Sequence, residues 1–142
     1  SEMCIRDSPK DRLKDRESGS IIVVLATDAP LSGLSLRQIA KRAAIGIGRG
    51  GTPGGNSSGD IFLALSVADP GPMPQHAPAL LSRAEVNGEY LDPLYLAAVE
   101  AVEEAVVNAL VAGEDVATVK PPGLTVRAID TDRLRRLFQP SA

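Results

Sequence analysis

The order of apolar patterns along this chain predicts a mixed α/β fold. Two apolar runs, at residues 20–28 and 61–67, read as strands, the first apolar on both faces as expected for a strand covered on both sides. Segments with apolar residues at helical spacing follow them, so strand, helix, strand, helix, strand and helix succeed one another from Ser20 onward. At 142 residues the chain suits one domain, and a domain of this size buries about two-thirds of its unfolded surface.

The elements can be justified in order. The first strand covers residues 20–28. Ser35, with Gln38 three positions later, has the pattern of a capping box opening the first helix. Leu36, Ile39, Ala40, Ala43 and Ile47 form the apolar side of that helix, and Arg37, Lys41 and Arg42 take the other. Asp60 opens the second strand. A Pro-rich loop occupies residues 69–78, and Asn87-Gly88 marks a turn suited to a small hairpin. Asp92-Pro93 provides a cap and a first-turn proline for a long helix that runs to about Ala112 and stops at Gly113. Ala and Val wrap most of this helix, leaving Glu100, Glu103 and Glu104 as its polar side, as for a helix packed between a sheet and another helix. Residues 124–129 alternate like a half-buried strand, and Asp130 caps a short helix ending near Phe138.

Residues 1–18 show no sustained apolar period and are expected to be a disordered leader. The first eight resemble a translated sequencing-adapter artefact, so fold and function are assigned to residues 19–142. The expected setting is cytoplasmic.

Composition excludes several function classes. A net charge of -3 gives no basic footprint, so nucleic acid is not an expected partner. Cys4 is the only cysteine, which rules out an internal disulfide and a cysteine cluster for metal. His76 is the only histidine, and it sits in the Pro-rich loop, where a solvated side chain is the ordinary outcome. No apolar run is long enough for a transmembrane helix, so no membrane partner is expected. With 3% aromatic residues and no Trp, the core must be built from Ala, Val, Leu and Ile.

The chemistry centres on Gly19-Ser20, a serine at the head of an apolar strand. A serine hydroxyl needs an adjacent base to act as a nucleophile. Cutting the chain before Ser20 would supply one, because the new α-amino group would titrate near pH 7.7 to 8.0 and be partly neutral at physiological pH. Gly-Ser is also an ordinary turn before a strand. A second polar cluster, Gly54-Gly55-Asn56-Ser57-Ser58-Gly59-Asp60, leads into the second strand. Ser58 and Asp60 could hand protons between a nucleophile and a carboxylate, although such a segment also reads as a plain Gly/Ser loop. The two clusters are expected to meet at one sheet end. Gly46-Ile47-Gly48-Arg49-Gly50-Gly51 matches the dinucleotide pattern GxGxxG, but it closes a helix instead of following a strand and opening one, which rejects that reading. These glycines are expected to allow unusual backbone angles and close approach.

Gly19-Ser20-Ile21-Ile22-Val23-Val24-Leu25-Ala26-Thr27-Asp28-Ala29-Pro30-Leu31, together with residues 54–64, closely resembles the L-aminopeptidase/D-esterase family, which includes the β-peptidyl aminopeptidases. The resemblance spans residues 20 to about 138. It implies a precursor that cleaves itself before a serine, giving a larger α chain and a smaller β chain that begins with the nucleophile. Ser20 is carried over as nucleophile of self-cleavage and turnover, with Gly19 completing the junction. Ser58 becomes the serine that hydrogen-bonds the nucleophilic centre and relays protons. Asp60 takes the acidic position, where relatives with Glu would reach further. Gly55, Asn56, Ser57 and Gly59 form the supporting loop.

The implied reaction is acyl transfer to water, releasing an N-terminal residue from peptides, amides or esters through an acyl-enzyme, with no cofactor. The implied fold is a four-layer α/β/β/α sandwich resembling N-terminal-nucleophile hydrolases, of which this chain would be the β-chain half. The α chain of the same precursor is then the missing partner, and the complete protein a homo-oligomer. Because that chain supplies much of the pocket and oxyanion stabilisation, this polypeptide is expected to be inactive alone and to expose apolar patches; losing a single oxyanion donor costs about 10² to 10³ in rate. Two alternatives stand beside this. An ornithine acetyltransferase-like enzyme shares the self-processing design but uses threonine, and a non-catalytic half-domain would need no site at all.

Overall fold

The computed structural model describes residues 19–68, 75–76 and 78–138. The expected leader, Cys4 and most of the Pro-rich loop lie outside the described residues. Strand β1 (Ile22–Thr27) leads into helix α1 (Gly33–Arg49), which returns the chain to strand β2 (Ile61–Ser66). The strands are parallel neighbours, with Ile22 opposite Ile61 and Thr27 opposite Ser66. Helix α2 (Asp92–Val111) packs against α1. Short strands β3 (Val116–Ala117) and β4 (Thr125–Val126) pair antiparallel, and helix α3 (Thr131–Leu137) follows.

Helix boundaries differ from the sequence reading at two caps. Ser32, not Ser35, is the cap of α1: its hydroxyl accepts the Ser35 N–H at 3.3 Å, and Ser35 is buried inside the first turn. Asp92 is the first residue of α2 rather than its cap. The cap position is Leu91, a buried core residue with no side-chain bond to the helix, so burial of Leu91 prevails over capping there. The hairpin expected at Asn87-Gly88 is a single 3₁₀ turn, because the Asn87 side chain accepts the Glu89 N–H at 3.1 Å and its carbonyl accepts the Tyr90 N–H. The strand expected over residues 124–129 is reduced to Thr125–Val126. Asp130 caps α3 as read, accepting the Arg133 N–H at 2.8 Å.

The core lies between the two long helices, where Ile39, Ala43, Ala98, Val99 and Val102 are buried. Gly46 lies within α1, and a methyl group built on it would fall 2.7 Å from the Val99 carbonyl oxygen and 2.8 Å from the Val102 Cβ. Glycine therefore sets how closely α1 and α2 approach. The helix ends just beyond, and Gly51 takes the positive φ of 101° that turns the chain away. Arg49 links the end of α1 to Glu103 of α2 at 3.0 Å, and the Arg42 guanidinium lies 4.0 Å from the Tyr95 ring centroid. Arg42 and Glu103 come from the sides of the helices that the sequence reading left polar.

One face of the β1–β2 pair is covered and the other is open, contrary to the expectation of cover on both. Val23, Leu25 and Thr27 are half-buried, whereas Ile22, Val24, Ile61 and Leu63 on the opposite face are 72%, 58%, 59% and 52% exposed. Nothing among the described residues lies over these four. Under α2 there is also a cavity of about 160 Å³, lined by Leu25, Thr27, Ile39, Leu94, Ala98 and Ala101 among others, so α2 rests on α1 and leaves space above β1.

Beyond α2, Asp115 ties β4 back to the start of β3. The Ala128 N–H donates to it at 2.8 Å and the Arg127 guanidinium at 2.6 Å. The Ala128 N–H first, and Arg127 second, hold this carboxyl below its ordinary value. A carboxyl lowered in the fold adds stability that is present above the unfolded value of about 3.9 and is lost as pH falls through the folded value. Amide-exchange protection at Ala128 is therefore expected to fall as pH drops below the unfolded value and through the lower folded one. Asp115→Asn, which keeps an acceptor but does not titrate there, should remove that step; an unchanged profile would refute the tie.

Candidate active site

Ser20 precedes β1 and the polar loop precedes β2, so parallel pairing brings both to the same end of the sheet. The meeting expected from the sequence occurs. The Gly59 N–H donates to Ser20 Oγ at 2.9 Å. The Ile21 N–H donates to Asp60 Oδ1 at 3.0 Å, and the Ile61 N–H donates to the Ile21 carbonyl at 3.0 Å. Ser20 and Asp60 are both exposed, so the site is open to solvent.

Local sequence explains the loop. Gly54 has a positive φ of 68°, and its N–H donates to Thr52 Oγ1 at 3.2 Å. A turn closed by the Ser58 N–H on the Gly55 carbonyl at 2.9 Å reverses the chain, leaving Asn56 and Ser57 exposed at its tip. The turn delivers Gly59 to Ser20. Ser58, half-buried beside it, makes no side-chain hydrogen bond to Ser20; the contact passes through the next residue's backbone. Thus Gly59 is brought onto Ser20 and Asp60 onto the neighbouring Ile21, Ser58 is next to Gly59 in the chain, and Gly55, Asn56 and Ser57 build the turn. The two backbone donors that organise the site, Gly59 N–H and Ile21 N–H, carry no side-chain signature and could not be assigned as donors from sequence.

The opposite end of the strand pair is closed by ordinary structural bonds. Ser66 Oγ donates to the Ala29 carbonyl at 2.6 Å, and the Ala29 N–H donates to Thr27 Oγ1 at 3.1 Å. His76 is exposed. Among the described residues no group of three or more His, Cys, Asp or Glu side chains could hold a metal ion, and no helix is long and apolar enough to cross a membrane.

An α/β unit with a serine just before a parallel strand and a glycine-rich turn against it is similar to solved structures of the Ntn hydrolase fold. The chain belongs to peptidase family S58, whose family model matches residues 1–122. It is 40% identical over 121 residues to a β-peptidyl aminopeptidase of Sphingosinicella microcystinivorans, covering 85% of this chain and 30% of that protein. Among solved structures it is similar to the L-aminopeptidase D-Ala-esterase/amidase of Ochrobactrum anthropi, described as a variant of the Ntn hydrolase fold. The TM-score is 0.76 and the identity 56%, with 83% of this chain and 32% of that one covered. A Burkholderia β-aminopeptidase is similar with a TM-score of 0.71 at 36% identity, over 89% of this chain and 37% of that one. The chain thus spans about a third of the length of the relatives it matches. The family and the mixed α/β fold expected from the sequence are both borne out.

Proposed function

We propose that this chain is the nucleophile-bearing portion of a self-processing serine aminopeptidase of family S58. One observation carries the reading: Ser20 Oγ, at the mouth of β1, accepts a hydrogen bond from the Gly59 N–H. In the uncut chain Oγ attacks the Gly19 carbonyl carbon, and the acyl group passes from the Ser20 nitrogen to its oxygen. Water then hydrolyses that ester, leaving a carboxylate on Gly19 and a free α-amino group on Ser20. In turnover the same oxygen attacks the substrate carbonyl and the α-amino group takes its proton. That proton passes to the leaving amine or alcohol, and water releases the acyl group. Ser58, beside the nucleophile, relays protons, and Asp60 completes the site. Peptide, amide and ester substrates are proposed from the activities named for the relatives.

The other two-thirds of a family-length protein is proposed to supply the remaining pocket and cover the open face at Ile22, Val24, Ile61 and Leu63. Mass spectrometry of the complete gene product is the direct test. A species beginning at Ser20 is expected, whereas this chain produced by itself should keep the Gly19–Ser20 bond. An active preparation with that bond intact would refute the reading.

A further inference from the structure

Strand β1 has a neighbour on one side only among the described residues, yet it is not built as an edge. From Ile22 to Thr27 it carries no charge and no proline, the usual devices that keep an exposed edge from pairing. Register fixes which of its groups stand free. The Ile21 carbonyl accepts the Ile61 N–H and the Thr27 carbonyl the Val67 N–H, so alternate residues from 21 to 27 face β2. The N–H and carbonyl groups of Ile22, Val24 and Ala26 therefore point to the opposite edge.

The helices show what space lies beyond that edge. Helix α1 packs on β2, and α2 lies beside α1 on the β1 side, across the cavity lined by Leu25, Thr27, Leu94 and Ala98. Packed helices stand about 8 to 10 Å apart and paired strands about 4.8 Å, so α2 is displaced from α1 by about two strand positions. It overhangs the first position past β1. Ala97 and Ala101 line the cavity from α2 and remain exposed, and their short side chains leave depth for those of a strand beneath them.

We infer that the free edge of β1 receives a further β-strand, supplied by the other two-thirds of the family-length protein and seated beneath α2. This rests on the reading that the chain is a portion of a longer protein, and it goes beyond the cover proposed for the open face. Relatives about three times as long have ample chain outside the matched portion to provide one strand. Main-chain hydrogen bonds to Ile22, Val24 and Ala26 hold it, and its side chains on the covered face fill the cavity. The strand that follows Ser20 is then gripped from both sides.

Amide exchange reads the edge directly. In the complete gene product, Ile22, Val24 and Ala26 should exchange as slowly, within about tenfold, as Val23 and Leu25, whose N–H groups face β2. Exchange about a hundredfold faster at those three positions would mark an open edge and overturn the inference. Slow exchange that is lost on dilution would place a second copy of the protein there, and would overturn it too. A variant checks the location: Ala101→Leu should lower the unfolding midpoint because the seat is already full. A midpoint that rises or holds would mean that leucine has filled an empty cavity, against the inference. If Ala101→Leu does not fold, exchange in the unsubstituted protein decides alone. The same exchange measured in Ser20→Ala keeps the two readings apart. Activity surviving there refutes Ser20 as nucleophile and leaves the strand standing, whereas fast exchange at Ile22, Val24 and Ala26 refutes the strand alone.

Discussion

Ser20→Ala in the complete gene product is expected to leave the Gly19–Ser20 bond uncut and to lower hydrolysis of an aminoacyl amide or ester by on the order of 10⁶. The size of the effect comes from the double use of one residue. In the proposed mechanism Oγ attacks the Gly19 carbonyl, so removing it also prevents release of the α-amino base. The variant thus lacks nucleophile and base together, although only one oxygen atom has been deleted. Its Gly59 N–H, which donates to Ser20 Oγ at 2.9 Å, faces solvent at this exposed site, so water can replace the lost acceptor and folding should be nearly unaffected. Electrophoresis for the uncut chain and a steady-state rate assay check both parts. A processed or active Ser20→Ala protein would overturn the assignment.

The largest expected effect on stability is a contrast between two glycines of the same helix. Gly46→Ala places a methyl group 2.7 Å from the Val99 carbonyl oxygen and 2.8 Å from the Val102 Cβ, where backbone of one helix meets backbone of the other. Overpacking of this kind costs about 1 to 3 kcal/mol, which exceeds or offsets the gain of about 1 kcal/mol from replacing a helical glycine. At Gly48 a built Cβ meets nothing within 4 Å, so Gly48→Ala keeps the helical gain. Thermal unfolding should show Gly46→Ala melting a few degrees below Gly48→Ala, as a difference of 1 kcal/mol moves the midpoint by about 2 to 4 °C in a domain of this size. Equal midpoints would mean that the helices can separate without cost.

What could be read from the sequence divides along physical lines. The two strands and three helices follow from periodicity, and the meeting of Ser20 with the 54–60 loop follows from placing each just before a parallel strand. The caps of α1 and α2 were misread because local signals compete. Ser32 and Ser35 are both good caps, and Leu91 is a poor one placed at a cap position by its burial. The cover of β1 was overestimated because an apolar run reports what the strand is suited to face, while Ile22 and Val24 have nothing over them among the described residues. Arg42 looks like a solvent-facing position in α1, yet its long side chain reaches Tyr95 on the neighbouring helix, as Arg49 reaches Glu103. The bonds that organise the site were hidden for a different reason. They are backbone N–H groups at Ile21 and Gly59, and every residue except proline has one.

The pairing of Ile22 with Ile61 bears on the proposed self-cleavage. A slip of one residue between β1 and β2 would turn apolar side chains to the wrong face, but a slip of two would preserve every face. It would also carry Gly59 about 7 Å from Ser20, out of reach of any hydrogen bond. The inside-outside pattern alone does not distinguish those two pairings, whereas the proposed self-cleavage would. On that proposal, cutting before Ser20 certifies the strand alignment, and the severed bond is a permanent record of correct folding.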